Sequence, residues 1–287
     1  MVVGKCCSVA AVVVLACAGY LYVALTLLVH AECSPSPHPP HYRCVYELTA
    51  PGLRTTTVWE GELDPERKTM EGIGVFTADA ARYDGRYEGS IRSGRGKLEL
   101  GDGTVMEGEF GGKRGLLHGS DGVFVSAWGS VAEAGFANGS MNGPARLALA
   151  QRGMDAAHVA YEGHMVNSLP GRADGGDGPA GMLLAADGVE YSVTRAATNG
   201  SAWSAAMHTP VITFDVGCET AFGVPGCLVS VDSARCANDQ CAALREACTA
   251  LMWLAGELDL ANGRVLALME PYPWAALFAE TSGSGEL

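Results

Sequence analysis

A nucleophilic site in this chain would draw on its carboxyl-terminal third, where Cys218 lies close in sequence to His208 and Asp215. A thiol, an imidazole and a carboxylate are the parts such a site needs: the base takes the thiol proton and the carboxylate orients the base. No catalytic motif surrounds the three, so no catalytic residue is assigned. The same region holds Cys227, Cys236, Cys241 and Cys248, and clustered cysteines serve either metal or disulfide chemistry. There is no CxxC pair, and the five cysteines are separated by 8, 8, 4 and 6 residues. That spacing suits zinc poorly, and no metal ligand is assigned. With Cys33 and Cys44, seven cysteines follow residue 31, so pairing them as disulfides leaves one over.

The 38 glycines invite a nucleotide site. No GxxxxGK[ST] loop occurs, no GxGxxG opens a helix, and neither HExxH nor GxSxG is present. No cofactor is expected. The formal net charge of -13 is spread over the chain, with -7 in residues 51–192 and -6 in residues 193–287. Nucleic acid and purely electrostatic adhesion to anionic lipid both require a basic face, so neither partner is expected.

The glycines belong instead to an internal repeat. Five segments begin alike: WEGEL (59–63), YEGSI (87–91), MEGEF (106–110), AEAGF (132–136) and YEGHM (161–165). In a strand, alternate residues share a face. Trp59, Gly61 and Leu63 then point one way, as do Tyr87, Gly89 and Ile91, Gly108 with Phe110, and Tyr161, Gly163 and Met165. A glycine between large apolar residues leaves a slot for a neighbouring strand's aromatic ring. Second segments of similar pattern follow, among them GIGVF (72–76), GRGKL (94–98) and GPARL (143–147), leading to turn signals at GDG (101–103), WG (128–129) and DG (187–188). Each unit reads as a β-hairpin that cannot bury its apolar face alone.

This pattern resembles the MORN repeat (membrane occupation and recognition nexus), whose units run roughly YxGxW, a polar turn, HGxGxL and a closing turn. The resemblance covers about residues 58–191. It implies an elongated antiparallel sheet of stacked hairpins, with roles in attachment, scaffolding and oligomerisation. The motif glycines, with Ala134 in that place in AEAGF, are spaced 28, 19, 26 and 29 residues apart, so the array is degenerate.

Outside the repeats, SVAAVVVLACAGYLYVALTLLV (8–29) carries no charge and would span ~33 Å as a helix. It predicts a signal anchor with its amino terminus cytosolic and the bulk of the chain lumenal or extracellular. The alternative is a signal peptide cleaved after Ala31, which would release a secreted protein. The expected organisation is residues 1–31 as this apolar segment, 32–50 as a proline-rich spacer, 51–192 as the repeat array, and 193–287 as a small cysteine-bearing α+β cap. Within the cap, ITFDV (212–216) and CLVSV (227–231) read as strands. NDQCAALREACTALMWLAG (238–256) reads as a helix capped by Asn238 or Asp239 and ended by Gly256, and Asn262-Gly263 reads as a hairpin turn. Asn138 and Asn199 fit the N-glycosylation pattern.

The fold expected is therefore mostly β. The function expected is a non-catalytic scaffold tethered by residues 8–29 or secreted, which presents its sheet to an unidentified protein partner and has sheet ends open to self-association. The alternative from another class is a lumenal or extracellular enzyme with a cysteine site in the carboxyl-terminal region and the repeats as an accessory module.

Overall fold

A computed structural model describes residues 7–14, 24–35, 41–50, 53–64, 69–78, 80–150, 159–172, 178–199, 202–221, 224–231, 234–236 and 238–267. The described residues form twenty strands and one helix, in antiparallel sheet with the helix at its carboxyl-terminal end. They divide into two compact units at Gly101 and Asp102.

In the first unit, strands β1 (Cys7–Val14), β2 (Ala24–Pro35), β3 (His41–Ala50), β4 (Leu53–Asp64), β5 (Thr69–Ala78), β6 (Ala81–Glu88) and β7 (Ile91–Leu100) follow one another as a meander, each antiparallel to the last. This corrects the membrane expectation. Residues 8–29 do not form one helix: Cys7 to Val14 pair with Ala31 to Ala24 as β1 and β2. Among the described residues, no helix is long and apolar enough to cross a membrane. The signal anchor and the single-pass topology lose their basis with it. Ala31 lies mid-strand, paired with Cys7 on one side and Tyr46 on the other. An uncharged run specifies burial without specifying period, and the six valines of residues 8–29 suit a strand better than a helix. In the proline-rich stretch, residues 36–40 lie outside the described residues, whereas Ser34 and Pro35 end β2 and His41 to Arg43 open β3.

Alternation along β6 is strict: Ala81, Tyr83, Gly85 and Tyr87 are buried, while Arg82, Asp84, Arg86 and Glu88 are exposed. The buried aromatics meet edge to face, Trp59 with Tyr87 at 4.9 Å and Tyr83 with Tyr87 at 5.2 Å between centroids. Glycines lie opposite one another beneath the rings. Gly61 pairs with Gly74 under Trp59, and Gly85 pairs with Gly96 under Tyr83. A methyl group at any of the four would overlap a ring or the facing backbone.

One motif reading changes register. Gly89 is not a mid-strand slot: Gly89 and Ser90, with φ of 58° and 65°, form the two-residue turn joining β6 to β7, and a side chain at Gly89 would meet nothing within 4 Å. The glycine that lies under a ring in this hairpin is Gly85, four residues earlier. Tyr87 therefore lies one residue before the end of β6 at Glu88, and Ile91 begins the next strand.

The second unit contains β8 (Val105–Gly111), β9 (Leu116–Leu117), β10 (Gly119–Val125), β11 (Val131–Ala137), β12 (Ser140–Leu149), β13 (Val159–Val166), β14 (Leu169–Pro170), β15 (Gly181–Leu184), β16 (Glu190–Asn199), β17 (Ala202–His208), β18 (Thr213–Ala221), β19 (Val224–Val231) and β20 (Ala234–Arg235). From β10 onward the longer strands again pair in chain order, with β10 also joined to β8. Gly163 faces Gly181 under Tyr161, whose hydroxyl lies 2.9 Å from His164 O and 3.1 Å from Ala180 O. Gly122 lies under Phe136.

Helix α1 (Asp239–Ala267) closes this unit. Asn238 caps it as expected, its Oδ1 accepting the Cys241 N–H at 2.9 Å. The helix does not stop at Gly256, and Asn262-Gly263 is no hairpin turn. Leu258, Ala261 and Val265 continue the buried stripe begun by Cys241, Leu244, Cys248 and Leu251. Asn262 is buried and donates from Nδ2 to Gly139 O at 3.0 Å. A continuous apolar stripe with a buried hydrogen bond outweighs the roughly 1 kcal/mol that each internal glycine costs a helix. Near its end, Arg264 donates to the Asp102 carboxylate.

The glycine slots make a direct prediction. Gly74→Val should destabilise the protein by about 1–3 kcal/mol through overlap with Trp59. Gly89→Asn should change stability by less than about 0.5 kcal/mol, since asparagine accepts the left-handed conformation. Urea denaturation of both variants checks this, and equal losses would contradict the register of Gly74 under a ring and Gly89 in a turn.

Candidate interaction surface

Strand alternation separates the three residues whose types suggested catalysis. Cys218 is buried and bridged to Cys227, directly opposite it across β18 and β19. Asp215, three residues away and so on the other face of β18, is exposed. The His208 ring lies between two hydroxyls, 2.6 Å from Thr194 Oγ1 and 2.8 Å from Thr213 Oγ1. The structure does not bring the three together, and Cys218 presents no free thiol.

Two further bridges join Cys33 to Cys44, opposed across β2 and β3, and Cys236 to Cys241, which ties the segment ahead of α1 to its first turn. Cys248 is the remaining thiol of the seven. It is fully buried against the helix's sheet-facing side, 3.8 Å from Met207 Sδ, and burial pushes its thiol far above the ordinary range. Among the described residues, no group of three or more His, Cys, Asp or Glu could hold a metal ion.

What the fold leaves open is the other face of its hairpins. Glu60, Asp84, Arg86 and Glu88 project from β4 and β6, and cross-strand ion pairs lie along this face. Arg43 Nε meets Glu60 Oε1 at 2.8 Å in the first unit, and Arg146 Nε meets Glu162 Oε1 at 3.1 Å in the second. Each pair occupies directly opposed positions on neighbouring strands. Being exposed, each contributes at most about 1 kcal/mol, so this face is charged without being rigidly committed.

In the first unit a groove of about 540 Å³ crosses this face, lined by Tyr42, Arg43, Glu60, Ile73, Val75 and Asp84. Its floor is backbone at Gly61 and Gly74, where the Trp59 ring fills the space beneath. The local sequence explains the shape. The register of β4 against β5 shifts between Gly61 and Glu62, and Gly72 takes a φ of 65°. Ile73, next to the buried Gly74 and paired with the exposed Arg86 of β6, lies on the charged face by strand alternation, with 66% of its surface exposed.

Several motif residues have other roles. Tyr87 and Tyr161 are buried, as are Trp59, Phe110 and Met165, so they shape the sheet without touching a partner. Leu63 and Ile91 are half-buried, and Gly108 approaches the backbone of Gly122. Asn138 lies exposed on the turn between β11 and β12, whereas the Gly200 and Ser201 that follow Asn199 are outside the described residues. The sequence reading passed over Ile73, although the alternation of GIGVF, with Gly72, Gly74 and Phe76 on one face, already places it on the other.

Compared with known protein families and with curated proteins, the chain matches none.

Burial of Cys248 sets an experimental expectation. In the native, unreduced protein iodoacetamide should leave Cys248 unmodified, and in denaturant it should react fully, as read by mass-spectrometric peptide mapping. Native labelling of Cys248, or recovery of Cys218 as a free thiol, would contradict the bridging and burial of these cysteines.

Proposed function

We propose that this protein is a non-catalytic scaffold whose stacked hairpins present their charged face to a protein partner. The observation that carries the reading is the groove around Ile73, an exposed apolar residue set among Arg43, Glu60 and Asp84 over a floor of backbone. Hot spots of protein interfaces are apolar anchors seated among polar groups that exclude water, and this groove has that composition.

The reading treats the hairpins as degenerate units of the MORN kind. Support comes from the corrected register of one hairpin: Tyr83, Gly85 and Tyr87 on β6, a two-residue turn, then Gly94, Gly96 and Leu98 on β7. That order reproduces the YxGxW, turn and GxGxL pattern more closely than a unit beginning at Tyr87. An acidic chain of -13 favours a partner with a neutral or basic contact surface.

Ile73 supplies the test because it can be changed without touching the core. An Ile73→Glu variant should keep its circular dichroism spectrum and lose partner binding by about 30-fold, the effect of a roughly 2 kcal/mol hot spot. A Val211→Asp variant, altered at an exposed residue of the β17–β18 turn, should bind as the unaltered chain does. Affinity capture followed by titration of the captured protein measures both. Unchanged affinity in Ile73→Glu would overturn the assignment of this face.

A further inference from the structure

The outer face of the second unit carries an apolar line across its charges. Register sets Val105 opposite Val125, Val125 opposite Val131, Val131 opposite Ala148, Ala148 opposite Ala160 and Ala160 opposite Leu184, so residues of six neighbouring strands form one cross-strand row. Their chain neighbours Met106, Phe124, Ala132, Leu147, Tyr161 and Leu183 are buried, which puts the row on the face away from the core. Ala148 and Leu184 are exposed and the other four partly so.

The next row, two residues along each strand, sets Glu107, Val123, Glu133, Arg146, Glu162 and Met182 side by side. It holds three carboxylates against one guanidinium, and Arg146 already meets Glu162 at 3.1 Å. Glu190, opposite Leu184, ends the apolar row on a further carboxylate. Outward positions of a sheet face water, and six apolar residues in line there gain nothing from the core beneath them.

We propose that this row docks an amphipathic helix of a partner protein, one whose apolar stripe is bordered by Lys or Arg. Length and charge both point to that occupant. At ~4.8 Å between strands, five spacings make the row ~24 Å long, which is about 16 helical residues at ~1.5 Å each. Its narrow width matches the apolar stripe of such a helix. Ala148 and Ala160 carry the smallest side chains of the row and leave a hollow between Val131 and Leu184 for a large side chain of the partner. The carboxylates beside the row call for cations opposite them. A second copy docking through this same face would set carboxylates against carboxylates, and an anionic membrane would be repelled likewise.

The row is separate from the groove around Ile73, which lies in the first unit, so binding at either can fail without the other.

Fluorescence anisotropy on the full chain provides the test, with labelled peptides of about 16 residues as probes. One has leucine and lysine in amphipathic helical order, one has the same composition scrambled, and one has glutamate in place of lysine. The expected result is saturable binding of the ordered leucine–lysine peptide and at least about tenfold weaker binding of the other two. A chain of net charge -13 attracts cationic peptides in general, so charge-neutral variants locate the site. Ala148→Gln, which fills the hollow, and Leu184→Ser should each weaken binding at least about fivefold with the circular dichroism spectrum kept. Leu260→Ser, at an exposed position of α1, should leave it unchanged. Equal binding of the scrambled peptide, no binding of any peptide, or unchanged affinity in both Ala148→Gln and Leu184→Ser would overturn the proposal. A dimer of the unaltered chain that Ala148→Gln dissociates would replace the helix with a second copy, and sedimentation with phosphatidylcholine vesicles that Ala148→Gln abolishes would replace it with a lipid surface.

Discussion

Each well-formed hairpin depends on one contact, an aromatic ring laid flat over two glycines that face each other on neighbouring strands. Trp59 covers Gly61 and Gly74, Tyr83 covers Gly85 and Gly96, and Tyr161 covers Gly163 and Gly181. Glycine weakens a strand because it has no side chain to pack and more backbone freedom to lose. In these hairpins the ring supplies the missing packing. The arrangement also decides the opposite face: with the aromatic side filled by the hairpin's own residues, charged side chains are left to face outward, and Ile73 joins them by alternation from Gly74.

A second contact joins one hairpin to the next. At the tip of the β6–β7 hairpin, Ser90 N–H donates to Met70 O and Ser90 Oγ accepts the Met70 N–H, both at 3.0 Å. At the tip of β13 and β14 the same pair of bonds links Ser168 to Met141, at 2.9 and 3.0 Å. Between β11 and β12, Gly139 N–H donates to Leu117 O at 2.8 Å, and α1 completes that tip through Asn262. Each tip uses two residues with positive φ: 89 and 90, 138 and 139, 167 and 168. The degenerate spacing of the motif is tolerated because these contacts are made by backbone and small side chains, which do not require a fixed number of residues between them.

The antiparallel hairpins were legible in the sequence, because period-2 alternation acts locally; the slots were legible only in part, since the ring over Gly61 and Gly163 is that of their own strand, Trp59 or Tyr161, and not a neighbouring strand's. What was not legible depended on choices between overlapping local signals or on distant contacts. YDGRYEGS contains two aromatic-x-glycine phrases four residues apart, and only the positive φ of Gly89 and Ser90 decides which glycine turns and which is covered. Asn262-Gly263 is a strong turn signal when read alone, yet Leu258, Ala261 and Val265 extend the helix through it. Residues 8–29 lack charge, which suggested a helix, but the segment reverses and pairs with itself as strands.

Hydrogen exchange at the hairpin tips tests the central claim, that the hairpins are interlocked units and not a plain meander with glycine turns. Turn amides of a plain meander face water and exchange near the unstructured rate. If the tips are locked by these bonds, the amides of Ser90, Gly139 and Ser168 will be protected by at least about 1,000-fold, comparable with the strands beside them. Exchange of these three within about tenfold of the unstructured rate, while the strand amides remain protected, would contradict the account.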